Sequence, residues 1–204
     1  IDLDTFFVSV ERLLDSRLNG KPVLLGGTSS RGVVASCSYE ARAFGVHSGM
    51  SMKIAQRLCP HGIVVRGDAS KYSQYSSIVT EIIKERVPLY EKTSVDEFYI
   101  DLSGMDKFFS SFKMANELRD TIIKETGLPN SFGFSINKTV SKVATGEAKP
   151  NGVWRVNKGE EKHFLAPLPV GKIPQVGPQT TKVLSEMGIK TVSYTHLRAH
   201  ETIP

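Results

Sequence analysis

The sequence predicts an α+β fold in which one sheet domain carries small appendages. Three observations indicate this class. Short strand-like segments alternate with amphipathic helical segments, long connections separate the strands, and beyond Pro169 the pattern changes to short helices around Gly177. With 204 residues, 40% of them hydrophobic, the chain can bury one large domain or two small ones. No internal repeat is evident.

The first strands are predicted from alternation and from bounding glycines. Residues 1–10 are apolar and aromatic with acids at alternate positions, which indicates a strand, and helical spacing follows over 8–18. Short apolar segments beside Gly predict two further strands, in 21–27 and in 31–41.

Short helices are predicted next, at 39–44 and 51–58, because Gly45 and Pro60 close each of them. The segment GIVVRG predicts one more strand.

The second half of the chain carries the strongest signals. Residues 69–86 form a long amphipathic helix with an apolar stripe of tyrosine, isoleucine and valine. Residues 93–104 are the clearest strand, and 112–126 are a second amphipathic helix ended by a glycine and a proline. A strand at 130–136 and a helix at 138–148 follow.

Composition bounds the function loosely. The net charge of +5 and the pI near 9.2 are compatible with a nucleic-acid partner but do not require one. Only Cys37 and Cys59 are present, so we expect a reducing, cytoplasmic setting without a disulfide framework. No apolar run reaches the length of a membrane span, and no signal peptide is visible.

Two acidic clusters are the first candidates for chemistry. Asp2 and Asp4 lie two residues apart on the first predicted strand and should share a face. Asp96 and Glu97 lie between apolar residues in a segment that should be buried, where a carboxylate needs a positive partner. Mg²⁺ is one such partner, and two ions could serve phosphoryl chemistry. Any single acid could equally be a helix cap or half of a salt bridge.

Basic and hydroxyl residues are candidates for binding a phosphate. Tyr39 and Arg42 share one side of a helical turn, and Arg42 could fork onto a triphosphate with Ser36 and Tyr39 adding hydroxyl donors. Lys149 precedes a Pro-Asn-Gly turn that fixes its position. An ordinary surface helix would also explain Arg42 without a ligand. Lys138 and Lys142 share a helix face that could be a plain solvated face.

The segment from Val170 to Val192 resembles a helix-hairpin-helix. Its tight turn at Val176 and Gly177 could present backbone N–H groups to a DNA phosphate, with Lys182 close behind. A helical hairpin that only packs against the rest of the chain is the alternative.

With these residues considered together, the sequence resembles the Y-family, or translesion, DNA polymerases, and most closely their bacterial DNA polymerase IV group. The resemblance covers about residues 1–192, and its motifs keep the family's order and spacing. They are DLDTFFVSVE, VVASCSYEARAFGV, SVDEFYIDLSG, GFSINKTVSKVATGEAKPNG and IPQVGPQTTKVLSEMGIKT.

The resemblance implies a role for each matching residue. Asp2, Asp96 and Glu97 would be the catalytic, metal-binding carboxylates, with the Leu3 carbonyl as a further ligand of two Mg²⁺ ions. Phe7 would be the steric gate that rejects a ribose 2′-OH, although simple core packing also explains it. The residues implied for binding the deoxynucleoside triphosphate are Ser36, Tyr39, Arg42 and Lys149, and those for DNA are Val176, Gly177 and Lys182.

The resemblance also implies an architecture and partners. The expected right hand has a palm with a mixed or antiparallel sheet at 1–13 and 71–158, small fingers at 14–70, and a helix-hairpin-helix thumb at 159–192. The expected activity is template-directed DNA synthesis past lesions by a monomer that binds primer-template DNA, deoxynucleotides and, in the full-length protein, a sliding clamp. A catalytically inactive DNA-binding fragment and, less well, a palm-type nucleotidyl cyclase are the alternatives.

The sequence departs from the family at several places. Gln175 stands where the family's thumb turn usually has Gly. The leading residues of the first strand and the C-terminal little-finger domain have no counterpart, so we expect a truncated fragment. Residues 193–204 do not follow the family, and we interpret them as a non-native tail.

Overall fold

A computed structural model describes residues 1–27, 29, 32–105 and 110–193 of the chain. The strands in these ranges are β1 (Asp2–Leu3), β2 (Val23–Gly26), β3 (Val34–Cys37), β4 (Ile63–Val65), β5 (Leu89–Lys92), β6 (Phe98–Asp101), β7 (Asn130–Phe134) and β8 (Val153–Arg155). The helices are α1 (Phe6–Leu14), α2 (Tyr39–Arg42), α3 (Met52–Leu58), α4 (Ala69–Arg86), α5 (Ser111–Thr126), α6 (Lys138–Ala148), α7 (Glu161–Leu165) and α8 (Pro178–Glu186).

The larger sheet is assembled around the very short strand β1. On one side β1 pairs antiparallel with β7, which pairs parallel with β8. On the other side the Leu3 N–H donates to Asp96 O at 2.9 Å and the Phe98 N–H donates to Ile1 O at 2.9 Å. These bonds join β1 to the antiparallel β5–β6 hairpin. The strands therefore lie in the order β8-β7-β1-β6-β5, which confirms a mixed sheet.

Helices α1, α4 and α5 contribute most of the helical side chains in the main core. The buried residues of this core include Val8 and Val10 from α1, Val79 and Ile83 from α4, and Ile122 from α5. Burial of this apolar surface is the main force that holds the helices against the sheet.

A smaller sheet, in the order β3-β2-β4, forms the second unit of the fold. Strand β2 pairs antiparallel with β3 and parallel with β4. Its own core is built from small and medium side chains, including Val34, Cys37, Ala41, Met52 and Cys59. Both cysteines are buried as free thiols.

The first ten residues do not form the single strand that alternation predicts. Strand β1 ends at Leu3, and Thr5, with a φ of 41°, turns the chain into α1. The Ser9 hydroxyl donates to Asp4 O at 2.7 Å and secures this turn. Phe6, Val8 and Val10 are all buried on the helix. When an apolar segment is buried on several sides, its periodicity does not distinguish a strand from a helix, and this explains the wrong prediction.

Two other boundaries differ from the predictions. Helix α1 ends at Leu14 rather than residue 18, because the Asp15 side chain accepts from the Arg17 N–H and caps a short 3-10 turn. In the segment 93–104 only Phe98–Asp101 is a strand, and its hairpin partner β5 has no clear sequence signal because most of it is exposed. The helices at 69–86 and 138–148 are confirmed at both ends.

The C-terminal part is a helical hairpin closed by its own flanks. The Val170 N–H donates to Lys190 O at 3.0 Å, and the Val192 N–H donates to Leu168 O at 3.0 Å. Ser193 is the last described residue, so the predicted tail lies otherwise outside the described residues. In the described part of the chain, no helix combines the length and the apolar character that a membrane crossing requires.

Candidate active site

The structure brings the two acidic clusters together at the junction of β1 and β6. Asp2 and Glu97 are paired across these antiparallel strands, and Asp96 precedes Glu97 on the same segment. The bond from the Leu3 N–H to Asp96 O fixes this register. Residues that are 95 positions apart in sequence thus lie side by side, so their carboxylates can act on one ligand.

The segment that carries Asp96 is less buried than its sequence suggests. Val95 is 41% exposed, and Asp96 and Glu97 are half-buried. Here the chain makes a polar turn, in which the Ser94 hydroxyl donates to Asp96 Oδ1 at 2.6 Å. The Ser94 hydroxyl oxygen also accepts from the Glu97 N–H at 3.1 Å. The expectation of a fully buried segment is wrong at these positions, because both acids are partly exposed next to the start of β6.

Two lysines neutralise the carboxylates. The Lys149 ammonium donates to Asp2 Oδ1, and the Lys142 ammonium donates to Glu97 Oε2 at 2.6 Å. Lys142 belongs to α6 and Lys149 is its C-cap residue, so this helix brings both ammonium groups to the acids. Lys142, which the sequence left as part of a solvated face, is therefore part of the site.

The two paired acids have opposite pKa shifts. Burial raises the pKa of Asp2, and the negative charges of Asp96 and Glu97 add to this, although Lys149 opposes it. Burial also disfavours ionisation of Glu97, but the hydrogen bond and charge of Lys142 prevail and lower the pKa of Glu97. The Glu97 partner in turn raises the pKa of Lys142 against its desolvation. The pKa shift of Glu97 therefore favours its ionised form, whereas for Asp2 the cost of burial exceeds the stabilisation that Lys149 provides.

Asp4 has a different environment from Asp2. It follows the end of β1, is 1% exposed, and accepts from the Ser131 hydroxyl at 2.9 Å and from the Asn151 N–H. Its Oδ1 lies 3.9 Å from the Lys149 ammonium. The prediction that Asp2 and Asp4 share a strand face does not apply, because β1 ends at Leu3. Both carboxylates nevertheless approach the Lys149 ammonium.

The donors at this site fit a hard divalent cation by their chemistry. Asp2, Asp96 and Glu97 offer only carboxylate oxygens, which are the ligands that Mg²⁺ prefers. The pKa of Asp2 is raised mainly by burial, and the charges of Asp96 and Glu97 contribute; a bound cation would oppose both effects. Within the described ranges, no three His, Cys, Asp or Glu side chains are arranged to hold a metal ion. Lys149 and Lys142 each engage a carboxylate oxygen that such an ion would use.

Helix α2 carries two of the predicted phosphate-binding residues, Tyr39 and Arg42, and places Tyr39 near the acids. Ser38 caps the helix by accepting from the Ala41 N–H at 3.2 Å. The Arg42 guanidinium lies 5.1 Å from the centre of the Tyr39 ring. Burial raises the pKa of Tyr39 to about 12, and the negative charge of Asp4 contributes. Tyr39 on α2 therefore lies near the carboxylates of Asp4 and Asp2.

Ser36 and Phe7 lie on more buried surfaces. Ser36 is 8% exposed on β3. Phe7 is half-buried on α1, with its ring centre 4.6 Å from that of Tyr72 and 5.5 Å from that of Phe6. The Tyr72 hydroxyl donates to Glu11 Oε1 and fixes this aromatic group. Phe7 therefore packs against the aromatic core, and part of the residue remains accessible to a ligand.

The turn of the C-terminal hairpin differs from its prediction in one respect. The Val176 N–H donates to Ile173 O at 3.0 Å, so this amide closes the turn and is not directed to a phosphate. Gly177 caps the start of α8, and Lys182 is exposed within 4.0 Å of Glu186. Gln175 has a φ of 71°, a left-handed conformation that favours glycine.

A cavity of about 910 Å³ adjoins the acids and runs between β6 and β7. Its walls include Asp2, Glu97, Lys142 and Phe132.

A mixed sheet with carboxylates on adjacent strands, a small second sheet over them and a helical hairpin defines the class of the Y-family DNA polymerases. Comparison with known proteins confirms this resemblance. Residues 1–146 match the family model described as impB/mucB/samB family, and residues 158–189 match the one described as IMS family HHH motif. The chain belongs to the impB/mucB/samB family.

Similar proteins agree with this assignment. DNA polymerase IV of Treponema denticola is 44% identical over 193 residues, which are 94% of this chain and 49% of that protein. DNA polymerase IV of Listeria monocytogenes serotype 4b (strain CLIP80459) is 42% identical over 94% of this chain and 54% of its own length. The crystal structure of DinB from Sulfolobus solfataricus matches with a TM-score of 0.87 at 28% identity, covering 93% of this chain and 57% of that one. The chain spans about half the length of the curated relatives it matches.

Proposed function

We propose that this chain carries the catalytic part of a DNA polymerase that extends a primer by template-directed, Mg²⁺-dependent nucleotidyl transfer and copies past lesions with low fidelity. The observation that carries the proposal is the pairing of Asp2 with Glu97 on adjacent strands, with Asp96 beside them. The names of the relatives support it, since DNA polymerase IV proteins match 94% of the chain.

The carboxylates have distinct parts in this proposal. Asp2, Asp96 and Glu97, with the Leu3 carbonyl, would hold two Mg²⁺ ions. Such ions supply Lewis acidity at the attacking and leaving oxygens when they are bound. Glu97 is suited to this role because Lys142 holds its pKa low, so it is ionised at neutral pH.

The incoming deoxynucleoside triphosphate would bind between the two sheets. Arg42 and Lys149 supply positive charge, and Tyr39 and Ser36 supply hydroxyl donors. The pKa of Tyr39, at about 12, keeps its hydroxyl protonated and able to donate. Phe7 would lie under the sugar and exclude a 2′-OH.

The domain assignment follows from the same proposal. The palm would comprise 1–13 and 71–158, the fingers 14–70 and the thumb 159–192. The thumb would contact the DNA backbone through the start of α8 at Gly177 and through Lys182. We further propose a monomeric, cytoplasmic protein whose full-length form binds a sliding clamp.

Primer extension by a Glu97→Gln variant tests the proposal. The purified chain is given primed template, the four deoxynucleotides and MgCl₂, and DNA binding is measured separately by fluorescence anisotropy. We expect Glu97→Gln to lose extension by at least about a hundredfold while DNA affinity stays within about threefold. Glu91→Gln is the matched control, because Glu91 is an exposed acid of the neighbouring strand that pairs with Lys138. Full extension by Glu97→Gln would remove Glu97 from the mechanism.

A non-catalytic DNA-binding fragment is the second candidate function. It is favoured by the pairing of Lys149 and Lys142 with the acids, because each ammonium engages a carboxylate oxygen that a metal ion would use. Extension assays with and without a little-finger domain grafted after Val192 separate the two. DNA binding without extension in both forms would favour the non-catalytic module.

A further inference from the structure

Arg119 on α5 makes an unusual set of hydrogen bonds behind the active-site sheet. Its guanidinium donates to Asn130 O at 3.1 Å, to Asn151 O at 2.8 Å and to Asn151 Oδ1 at 2.7 Å. The side chain is only 15% exposed, although it also contacts the exposed Asp120 at 3.0 Å. One planar group thus ties the helix to both β7 and the turn after α6.

The turn that Arg119 holds is the one that follows Lys149. Asn151 has a φ of 49°, a conformation that an asparagine tolerates but that needs support. Its N–H donates to the buried Asp4 carboxylate, and the Gly152 N–H donates to the Ser131 hydroxyl at 3.1 Å. The Ser131 hydroxyl itself donates to Asp4. The turn is therefore fixed on one side by Asp4 and on the other by Arg119.

We propose that Arg119 is a positioning residue, which holds the 150–152 turn so that the Lys149 ammonium stays beside Asp2 and Asp4. This inference rests on the proposed function in one respect, since Lys149 is there given the role of binding the triphosphate. Arg119 contacts neither the acids nor Lys149 in any bond described above, so it acts through Asn151.

The geometry of the guanidinium explains why an arginine occupies this position. Three acceptors on two separate segments require several donors in a fixed plane, which a guanidinium provides. A lysine has a single side-chain nitrogen on a flexible stem. One nitrogen does not reach Asn130 O and both Asn151 oxygens at the same time. Arg119→Lys therefore keeps the charge but loses the clamp.

The effect on nucleotide binding follows from the position of Lys149. A turn released by Arg119→Met lets the ammonium move away from where a triphosphate would bind, which weakens binding more than the chemical step. We expect the KM for the deoxynucleotide to rise about tenfold, with kcat within about threefold of wild type. Arg119→Lys should restore much of the thermal stability but not the KM.

Two measurements test the proposal in the purified chain. Single-nucleotide insertion gives KM and kcat, and amide hydrogen exchange at Asn151 and Gly152 reports on the turn directly. Exchange at both amides should become at least about tenfold faster in Arg119→Met and in Arg119→Lys. Arg86→Met is the matched control. Arg86 is a helical arginine of α4 whose guanidinium lies 2.9 Å from the Glu125 carboxylate and has no described bond to the turn.

The possible results are distinguishable. Unchanged exchange at Asn151 and Gly152 in the Arg119→Lys variant would overturn the inference, as would an unchanged KM in an active protein. If Arg86→Met had equal effects, Arg119 would contribute only to general stability, and the inference would also be overturned. If the wild-type chain inserts no nucleotide, the proposed function fails, and the exchange measurement alone decides whether Arg119 holds the turn.

Discussion

Replacement of Asp4 tests how the Lys149 turn is anchored from the sheet side. Asp4 is 1% exposed and accepts hydrogen bonds from the Ser131 hydroxyl and the Asn151 N–H, with Lys149 at 3.9 Å. Asp4→Ala removes the acceptor for both donors, the buried Ser131 hydroxyl and the Asn151 N–H of a part-buried hydrogen bond. A buried donor left unpaired costs about 1–3 kcal/mol. Lys149 keeps its pair with Asp2, so little is added for an isolated charge.

The expected loss for Asp4→Ala is about 3 kcal/mol of unfolding free energy. For a chain of this length, a loss of that size lowers the midpoint of thermal unfolding by roughly 6–12 °C. Asp4→Asn keeps the volume and one acceptor oxygen, and we expect it to lose about half as much. Urea unfolding followed by circular dichroism gives both values, and the temperature midpoint gives an independent check.

The control replaces an exposed acid, so that the effect of burial at Asp4 can be isolated. Asp101→Ala removes an exposed acid that accepts from the Ser103 N–H at 2.8 Å, and it should shift the midpoint far less. If Asp4→Ala changed the unfolding free energy by less than about 1 kcal/mol, the anchoring of the turn through Asp4 would be refuted.

Three further changes probe the site. Phe7→Ala should raise ribonucleotide insertion relative to deoxynucleotide insertion about 10–100-fold in kcat/KM, and an unchanged ratio would leave Phe7 as a core residue only. Lys142→Met should cost less than about 1 kcal/mol at neutral pH, because the side chains of Lys142 and Glu97 are 39% and 32% exposed. The pKa of Glu97 is lower in the folded state, so the pair stabilises above the unfolded pKa and this contribution is lost as pH falls through the folded pKa. The gap between wild type and Lys142→Met in urea unfolding should therefore close in acid, and a gap that persists there would contradict the assignment. Gln175→Gly should stabilise the hairpin by up to about 1 kcal/mol in the same assay, since its φ of 71° is strained for glutamine, and a loss of stability would argue against strain.

The sequence was sufficient for the elements whose signals are local. Helices α4 and α6 follow their apolar periodicity to the residue, because each buries one stripe and exposes the other. Strand β5 and the strand-to-helix change after Leu3 were not predictable in this way. Most of β5 is exposed, so its sequence lacks the alternation of apolar and polar residues that predicts a strand. The start of α1 depends on a turn at Thr5 that its buried surroundings stabilise.

The candidate site divides along the same line. The sequence by itself was enough to predict which residues would carry the chemistry: Asp2, Asp96 and Glu97 stand out as acids within apolar segments, in motifs that resemble those of the family. Only the tertiary structure decided that Lys142 pairs with Glu97, that Asp4 is a buried anchor and that Arg119 clamps the Asn151 turn. These contacts join residues that are 32 to 127 positions apart. Local patterns report what a segment can bury, but the partner of a polar side chain is set by how the sheet and helices pack.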